Sequence, residues 1–280
     1  MLKTLATIYL IWGMNWVVMK TANTFFPPIT FVAYRFLLGS IVLFLVWRYL
    51  KLAPPPKKLL PWIILTGLLQ MGLNNIAAQM SMLTLGAGMV AVLNYSMPVF
   101  AAIIASFVLG ERLTFRKGLG IAIAVVGMAV LMNVSAGESN YQAVIVGLFS
   151  ALFWALASVL VKLKLSSINA ITLTTWQMIA AAIMLMIYIT VFPQGAPAWS
   201  LDAVLCLIYN GVLASALAFF LWSYVLQRIE VSKAAVAVLA VPVVGVVGGV
   251  LFLDEPLTLR IILGMAIIML GIYTVVNKKC

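Results

Sequence analysis

Leu109–Gly120 reads LGERLTFRKGLG, and Leu253–Gly264 reads LDEPLTLRIILG, the same phrase 144 positions later. Each sets a short charged cluster between two long apolar runs. Glu111 aligns with Glu255, Leu113-Thr114 with Leu257-Thr258, Arg116 with Arg260 and Gly120 with Gly264. The match runs on without a gap over 89–133 and 233–277, pairing Pro98 with Pro242 and Gly127 with Gly271. Ahead of that block an offset of 142 sets Trp12 on Trp154, Lys20 on Lys162 and Arg35 on Gln177. The chain is therefore expected to be two copies of one unit, 1–136 and 137–280.

Composition says what kind of unit this is. Charged residues make up 8% of the chain and hydrophobic ones 65%, where a soluble domain carries about 25% charged. A 280-residue chain with so few charges cannot cover a water-facing surface. Apolar runs of roughly 20 residues, enough to span a bilayer, fall at about 3–22, 28–50, 59–83, 87–109 and 115–134. The second copy repeats them at about 142–163, 168–192, 201–226, 231–253 and 259–277. Pro27-Pro28, Pro54 to Pro56 and Pro193 to Pro197 punctuate the gaps. With the N-terminus in the cytoplasm, 14 of the 17 Lys and Arg residues fall inside, Lys20 and Arg260 outside, and Arg35 within a span. Basic residues favour the cytoplasmic side, so both termini are expected there, in the plasma (inner) membrane. The first apolar run lacks a small-residue cleavage site and is expected to be a retained helix. Five spans per copy is an odd number, so the second copy must lie upside down. The expected fold is an all-α polytopic membrane protein of ten transmembrane helices in two inverted five-helix repeats, a carrier architecture.

Several functions are excluded at this point. The net charge of +11 comes without a basic run interleaved with aromatics, so nucleic acid is not an expected partner. The chain has no His, and its two Cys have no pairing or ligand spacing. No metal, no cofactor, no catalytic residue and no enzymatic activity are expected. The partners are the lipid bilayer and a small-molecule substrate.

Trp12-Gly13-x-Asn15-x-Val17-x-x-Lys20, followed by Pro28 and Arg35-Phe36, resembles the opening of an EamA domain. Gly211 to Thr258 resembles the second copy of one. The chain is thus similar, over its whole length, to ten-helix members of the drug/metabolite transporter superfamily. The resemblance implies a central cavity lined by helices 1, 3, 4, 6, 8 and 9. Helices 5 and 10 close the outside and support a homodimer. It also implies a transporter of small organic metabolites, most simply an exporter of amino acids or related amphipathic, aromatic solutes. The alternatives are a multidrug or lipid-like effluxer and, in another class, a non-transporting assembly subunit. Small multidrug relatives place a Glu eight residues before the Lys that ends their first helix. Trp12 and Trp154 stand there, which speaks against Glu-based cation/proton exchange.

The polar residues inside the spans are the candidate site. Trp12, Asn15, Trp16 and Met19 share one face of helix 1 at i, i+3, i+4 and i+7. Asn15 must find either a cavity or a hydrogen-bonding helix neighbour, because a lone amide in hydrocarbon is costly. Gln70 and Asn74 share one face of helix 3, and Asn75 and Gln79 another. Asn94 and Tyr95 precede Pro98, which frees the carbonyl one turn earlier. Their repeat partners are apolar: Ala214 and Ala218 for Gln70 and Asn74, and Val238 and Leu239 for Asn94 and Tyr95. Trp154, Ser158 and Trp222 are the second copy's contribution. The expected cavity is polar on one wall and aromatic on the other. Arg35 either meets a substrate carboxylate or serves as a gating or structural charge, near enough to the helix end to snorkel. Glu111 and Glu255 are expected to cap the starts of the fifth and tenth helices, with Thr114 and Thr258 as N-caps, or to act as gate residues.

Overall fold

The computed structural model describes residues 1–85, 90, 93–112, 114–131, 141–252 and 258–276. Glu255 lies outside them, as do the 136/137 boundary and the side chains of Trp16 and Lys20. The described residues are helical apart from their connections. The first copy supplies α1 (Leu2–Ala22) and α2 (Pro28–Tyr49). In α3, Leu60–Gly67 runs through a wide π turn, Leu68–Leu73, into Asn74–Met82. After it come α4 (Met97–Val108) and α5 (Phe115–Leu131). The second copy supplies α6 (Tyr141–Lys164) and α7 (Ala170–Val191). In α8, Leu201–Ile208 runs through a second π turn, Tyr209–Leu217, into Ala218–Leu226. In α9, Val231–Ala237 passes through a 3-10 turn, Val238–Ala240, into Val241–Phe252, and α10 is Leu259–Val276.

Local chemistry sets the ends. Pro stands in the first turn of α2, α3 and α4, where its missing N–H costs nothing. The Asn169 side chain accepts from Ile171 N–H at 2.9 Å to start α7, and Ser200 from Ala203 N–H at 3.1 Å to start α8. Thr114 and Thr258 accept from Lys117 N–H at 3.3 Å and Ile261 N–H at 3.4 Å, the expected caps of α5 and α10. Pro98 does not kink a continuous helix. The chain turns at Tyr95–Ser96, and Pro98 then sits in the first turn of α4.

Among the described residues, six helices are long and apolar enough to cross a membrane: Leu2–Met19, Pro28–Tyr49, Lys57–Ser81, Tyr141–Lys164, Ala170–Val191 and Leu201–Leu226. Met97–Val108, Val231–Gly245 and Leu259–Val275 are shorter apolar helices. Large apolar side chains such as Phe107, Phe115, Ile187 and Leu251 stand exposed on the outside. In water such a surface would aggregate; in a bilayer it is the ordinary exterior of a multi-pass membrane protein.

The helix contacts repeat. α1 packs on α9 and α6 on α4; α2 packs on α8 and α7 on α3; α1 packs on α8 and α6 on α3. The pairs α2–α7, α4–α9 and α5–α10 each join a helix to its own counterpart. Adding five to every number returns the same list. At the α5–α10 crossing, a Cβ on Gly271 would lie 2.6 Å from Ala124 N and 2.7 Å from Gly120 O. Only glycine allows these backbones to approach so closely.

Candidate functional site

A cavity with an empty volume of about 880 Å³, its open mouth included, lies among α1, α2, α3, the residues before α4, α6 and α8. Seven predicted substrate-binding residues line it: Trp12, Asn15, Gln70, Asn74, Asn94, Tyr95 and Trp154. Arg35 lines it too. Two predicted residues stand elsewhere. Ser158 is fully buried and donates to Trp154 O on its own helix at 2.9 Å. A small hydroxyl inside a helix commonly finds the carbonyl one turn back, and that removes it from the site. Trp222 is fully buried and is not among the lining residues.

The π turns build the floor. The wide turn of α8 leaves the Ala214 carbonyl free to accept from Trp12 Nε1 at 2.9 Å. The wide turn of α3 carries Gln70, Ala214's counterpart in the repeat. With the Gln70 amide oxygen turned toward the two indoles, it accepts from Trp222 Nε1 at 2.9 Å and Trp154 Nε1 at 3.3 Å. Trp12, Trp154 and Trp222 then form a triangle with ring centroids 5.9, 6.1 and 5.9 Å apart. Phe219 closes on Trp12 at 5.3 Å. Such edge and tilted contacts are favourable ring geometries, and they hold the aromatic wall rigid.

The polar wall is a network of amides. Asn74 Nδ2 donates to Asn94 Oδ1 at 3.0 Å and to Ser150 O at 2.8 Å, and Asn75 Nδ2 donates to Met71 O at 3.0 Å. Asn15 Oδ1 and Gln79 Oε1 are buried without a partner while their residues line the cavity. Arg35 does not snorkel. Its residue is 6% exposed, and it donates to Asn75 Oδ1 at 2.8 Å and to Asn210 Oδ1 at 3.3 Å. The guanidinium also lies 4.8 Å from the Phe36 ring centre. Asn210, Phe219 and the Ala214 carbonyl escaped the sequence reading. Asn210 had a signal, since the 144-residue offset that pairs Gln70 with Ala214 also sets it on Thr66. Thr66 Oγ1 accepts from Gln177 Nε2 at 2.8 Å, and Gln177 is the counterpart of Arg35.

A second polar cluster ties the two copies together where the α4–α5 connection meets α9. Glu111 does not cap α5. Gly110, at φ +66°, turns the chain so that Glu111 reaches the first turn of α9 instead. There Glu111 Oε1 accepts from Val231 N–H at 2.7 Å, and Oε2 accepts from Ser232 N–H at 3.2 Å and Ser232 Oγ at 2.6 Å. Lys117 meets Glu230 at 2.7 Å, and Lys233 meets the other oxygen of Glu230 at 2.9 Å. Lys117, hydrogen-bonded to Glu230, holds that carboxyl below the usual carboxylate range, with Lys233 adding to the effect.

Among the described residues no group of three or more His, Cys, Asp or Glu side chains could hold a metal ion. The arrangement is a chamber within a helical bundle, with the α4–α5 connection hydrogen-bonded to the start of α9. It can bind and enclose a solute.

Similarity to known proteins agrees. The model of the EamA-like transporter family matches residues 3–133 and again 142–277. The transporter YoaV of Bacillus subtilis (strain 168) is 32% identical over 273 residues, covering 95% of this chain and 93% of its own. A probable amino-acid metabolite efflux pump of Escherichia coli (strain K12) is 27% identical, covering 95% of this chain and 91% of its own. A crystal structure with a TM-score of 0.86 and 16% identity covers 98% of this chain and 96% of that one, and so shares the fold. This chain is a transporter and not an enzyme: it belongs to the EamA-like transporter family.

Proposed function

We propose that the chain is a secondary carrier that exports amino acids or related amphipathic, aromatic-bearing solutes by alternating access. The observation that carries this reading is the cavity itself, with amides on one wall and Trp12, Trp154 and Phe219 on the other. An amino acid with a large side chain offers a polar head and an apolar body to match. The relative named as an amino-acid metabolite efflux pump supports the same class. Among the described lining residues there is no carboxylate to bind a cationic drug.

The mechanism follows from two inverted five-helix repeats, giving ten spans with both termini cytoplasmic in the plasma (inner) membrane. The helix contacts that return on adding five support that layout, as do the paired π turns. With the basic connections inside, the Glu111 tie closes the cytoplasmic end, and the cavity looks outward. Breaking that tie while the other end closes carries the site across. The outward faces of α5 and α10, with Phe115, Leu259 and Tyr273 exposed, meet lipid or a second copy as a homodimer.

The test is counterflow in reconstituted liposomes. Vesicles loaded with unlabelled phenylalanine, tryptophan or leucine should accumulate the labelled compound transiently. Vesicles that show no exchange with any member of an amino-acid panel, yet hold folded protein, would overturn the reading.

A further inference from the structure

We infer that Arg35 is the carboxylate-binding group of the cavity: it takes the carboxylate of the transported solute, and the orphan oxygens of Asn15 and Gln79 take that solute's N–H donors. This rests on the proposed transport of an amphipathic solute and names how its head is held.

A guanidinium stays protonated in proteins, and burying it without a counter-ion is costly. Buried charges are therefore paired, or they are kept for a ligand that completes the pair. Arg35 has only dipolar partners among the described residues. Its Nη atoms reach Asn75 Oδ1, Asn210 Oδ1 and, at 3.8 Å, Met19 Sδ, while its Nε has no acceptor. These amide contacts fix the plane of the guanidinium and leave Nε without an acceptor. Nε, with the second hydrogen of the Nη beside it, is one of the edges on which an arginine takes a carboxylate.

The neighbours point the same way. Asn15 Oδ1 and Gln79 Oε1 are buried acceptors with no donor, at residues that line the same cavity as Arg35. One bare donor edge and two bare acceptors match a head group bearing a carboxylate and an amine. Unpaired buried groups of this kind cost free energy until something pairs them. The apolar remainder of such a solute meets Trp12, Trp154 and Phe219. The second copy does not repeat the arrangement. At Arg35's counterpart stands Gln177, which carries no charge; its Nε2 donates to Thr66 while its Oε1 has no partner, so the carboxylate-binding charge belongs to the first copy alone.

The experiment compares ligands that differ only at the carboxylate, on the purified full-length protein in detergent or nanodiscs. L-Phenylalanine and L-phenylalaninamide share the ring and the ammonium; 3-phenylpropionate keeps the carboxylate and lacks the ammonium. Thermal shift and calorimetric affinity should rank phenylalanine first and the amide last. In Arg35→Gln the affinity for phenylalanine should fall about tenfold to a hundredfold, the worth of a charge-assisted bond. The affinity for the amide should fall much less, since a neutral carbonyl forms no charge pair with the guanidinium. Glutamine is what the second repeat holds at this place, so the variant is suited to folding, and the ligand ranking on the parent protein needs no variant at all. Equal affinity for phenylalanine and its amide overturns the assignment of Arg35 while leaving amino-acid transport standing. Equal affinity for phenylalanine and phenylpropionate overturns the role of Asn15 and Gln79. Absence of binding by all three, together with absence of counterflow, overturns the transport reading and this inference with it.

Discussion

The contact that joins the two copies at the α4–α5 connection gives the sharpest test of how this carrier closes. In Glu111→Gln one of the two carboxylate oxygens becomes an NH2 group, which cannot accept. At least one of the N–H groups of Val231 and Ser232 then loses its partner, and the negative charge leaves the positive end of α9. Losing an N-cap acceptor costs about 1 kcal/mol, and losing a charge at a helix start costs about 0.3–1 kcal/mol. The sum, about 1.3–2 kcal/mol, acts only in the conformation where the tie is made. Since about 1.4 kcal/mol is tenfold in an equilibrium, the open form should gain about 10- to 30-fold. A form present at a few per cent would rise to about a third. Spin labels at Arg112 and Arg228, both exposed and close to Glu111 and Glu230 in sequence, would read this as a second, longer distance. Cys206 and Cys280 would first be replaced by Ser. A distance distribution and unfolding temperature identical to the parent's would refute the claim that this carboxylate holds the end shut.

Three further outcomes are expected. Gln70→Leu leaves the Trp154 and Trp222 indoles without their acceptor, so the protein should lose about 2–4 kcal/mol of stability, read by thermal unfolding with an altered tryptophan emission. Gly271→Leu forces a side chain against the backbone of α5 at Ala124 and Gly120; unfolding should come earlier by at least about 2 kcal/mol, whereas Gly118→Leu, with open space around it, should be near neutral. The Glu230 pKa is depressed by Lys117, and a depressed carboxylate stabilises above its unfolded pKa and ceases to as pH falls through the folded one. The stability difference between parent and Lys117→Met should therefore stay constant from neutral pH down to about 5 and vanish only below about 4; a difference that changes between pH 6 and 8 would show another group at work.

The fold was legible because the chain states it twice. A chain of apolar runs and a repeat of their sequence pair each helix with a counterpart, and the packing pairs follow that pairing. Even the hidden partner of Arg35 was written in the repeat: Arg35 meets Asn210 as Gln177 meets Thr66. What the sequence concealed were events at single turns. The π turns depend on where one residue too many is accommodated, and nothing in Leu68–Leu73 or Tyr209–Leu217 names that place. Ser158 sits on a helix face that spacing alone cannot separate from the cavity, and its hydroxyl is satisfied by its own backbone. Glu111 fooled the reading of its own helix, because a left-handed glycine redirected it to the start of another. Periodicity reports faces; it does not report which neighbour a loop side chain will reach.

The two wide turns have a mechanical meaning. An α-helix advances about 100° per residue, and a π turn stores one residue beyond that count. Relaxing the turn at Leu68–Leu73 into regular α geometry would swing Asn74, Asn75 and Gln79 by about that angle relative to Leu60–Gly67. The same holds for Ala218–Leu226, with Phe219 and Trp222, relative to Leu201–Ile208. Each of these two helices is thus a shaft with a clutch at its middle. Its far end can keep its grip on the surroundings while the part bearing the chamber's contacts changes azimuth, so the chamber can be re-lined without sliding a whole helix through the membrane.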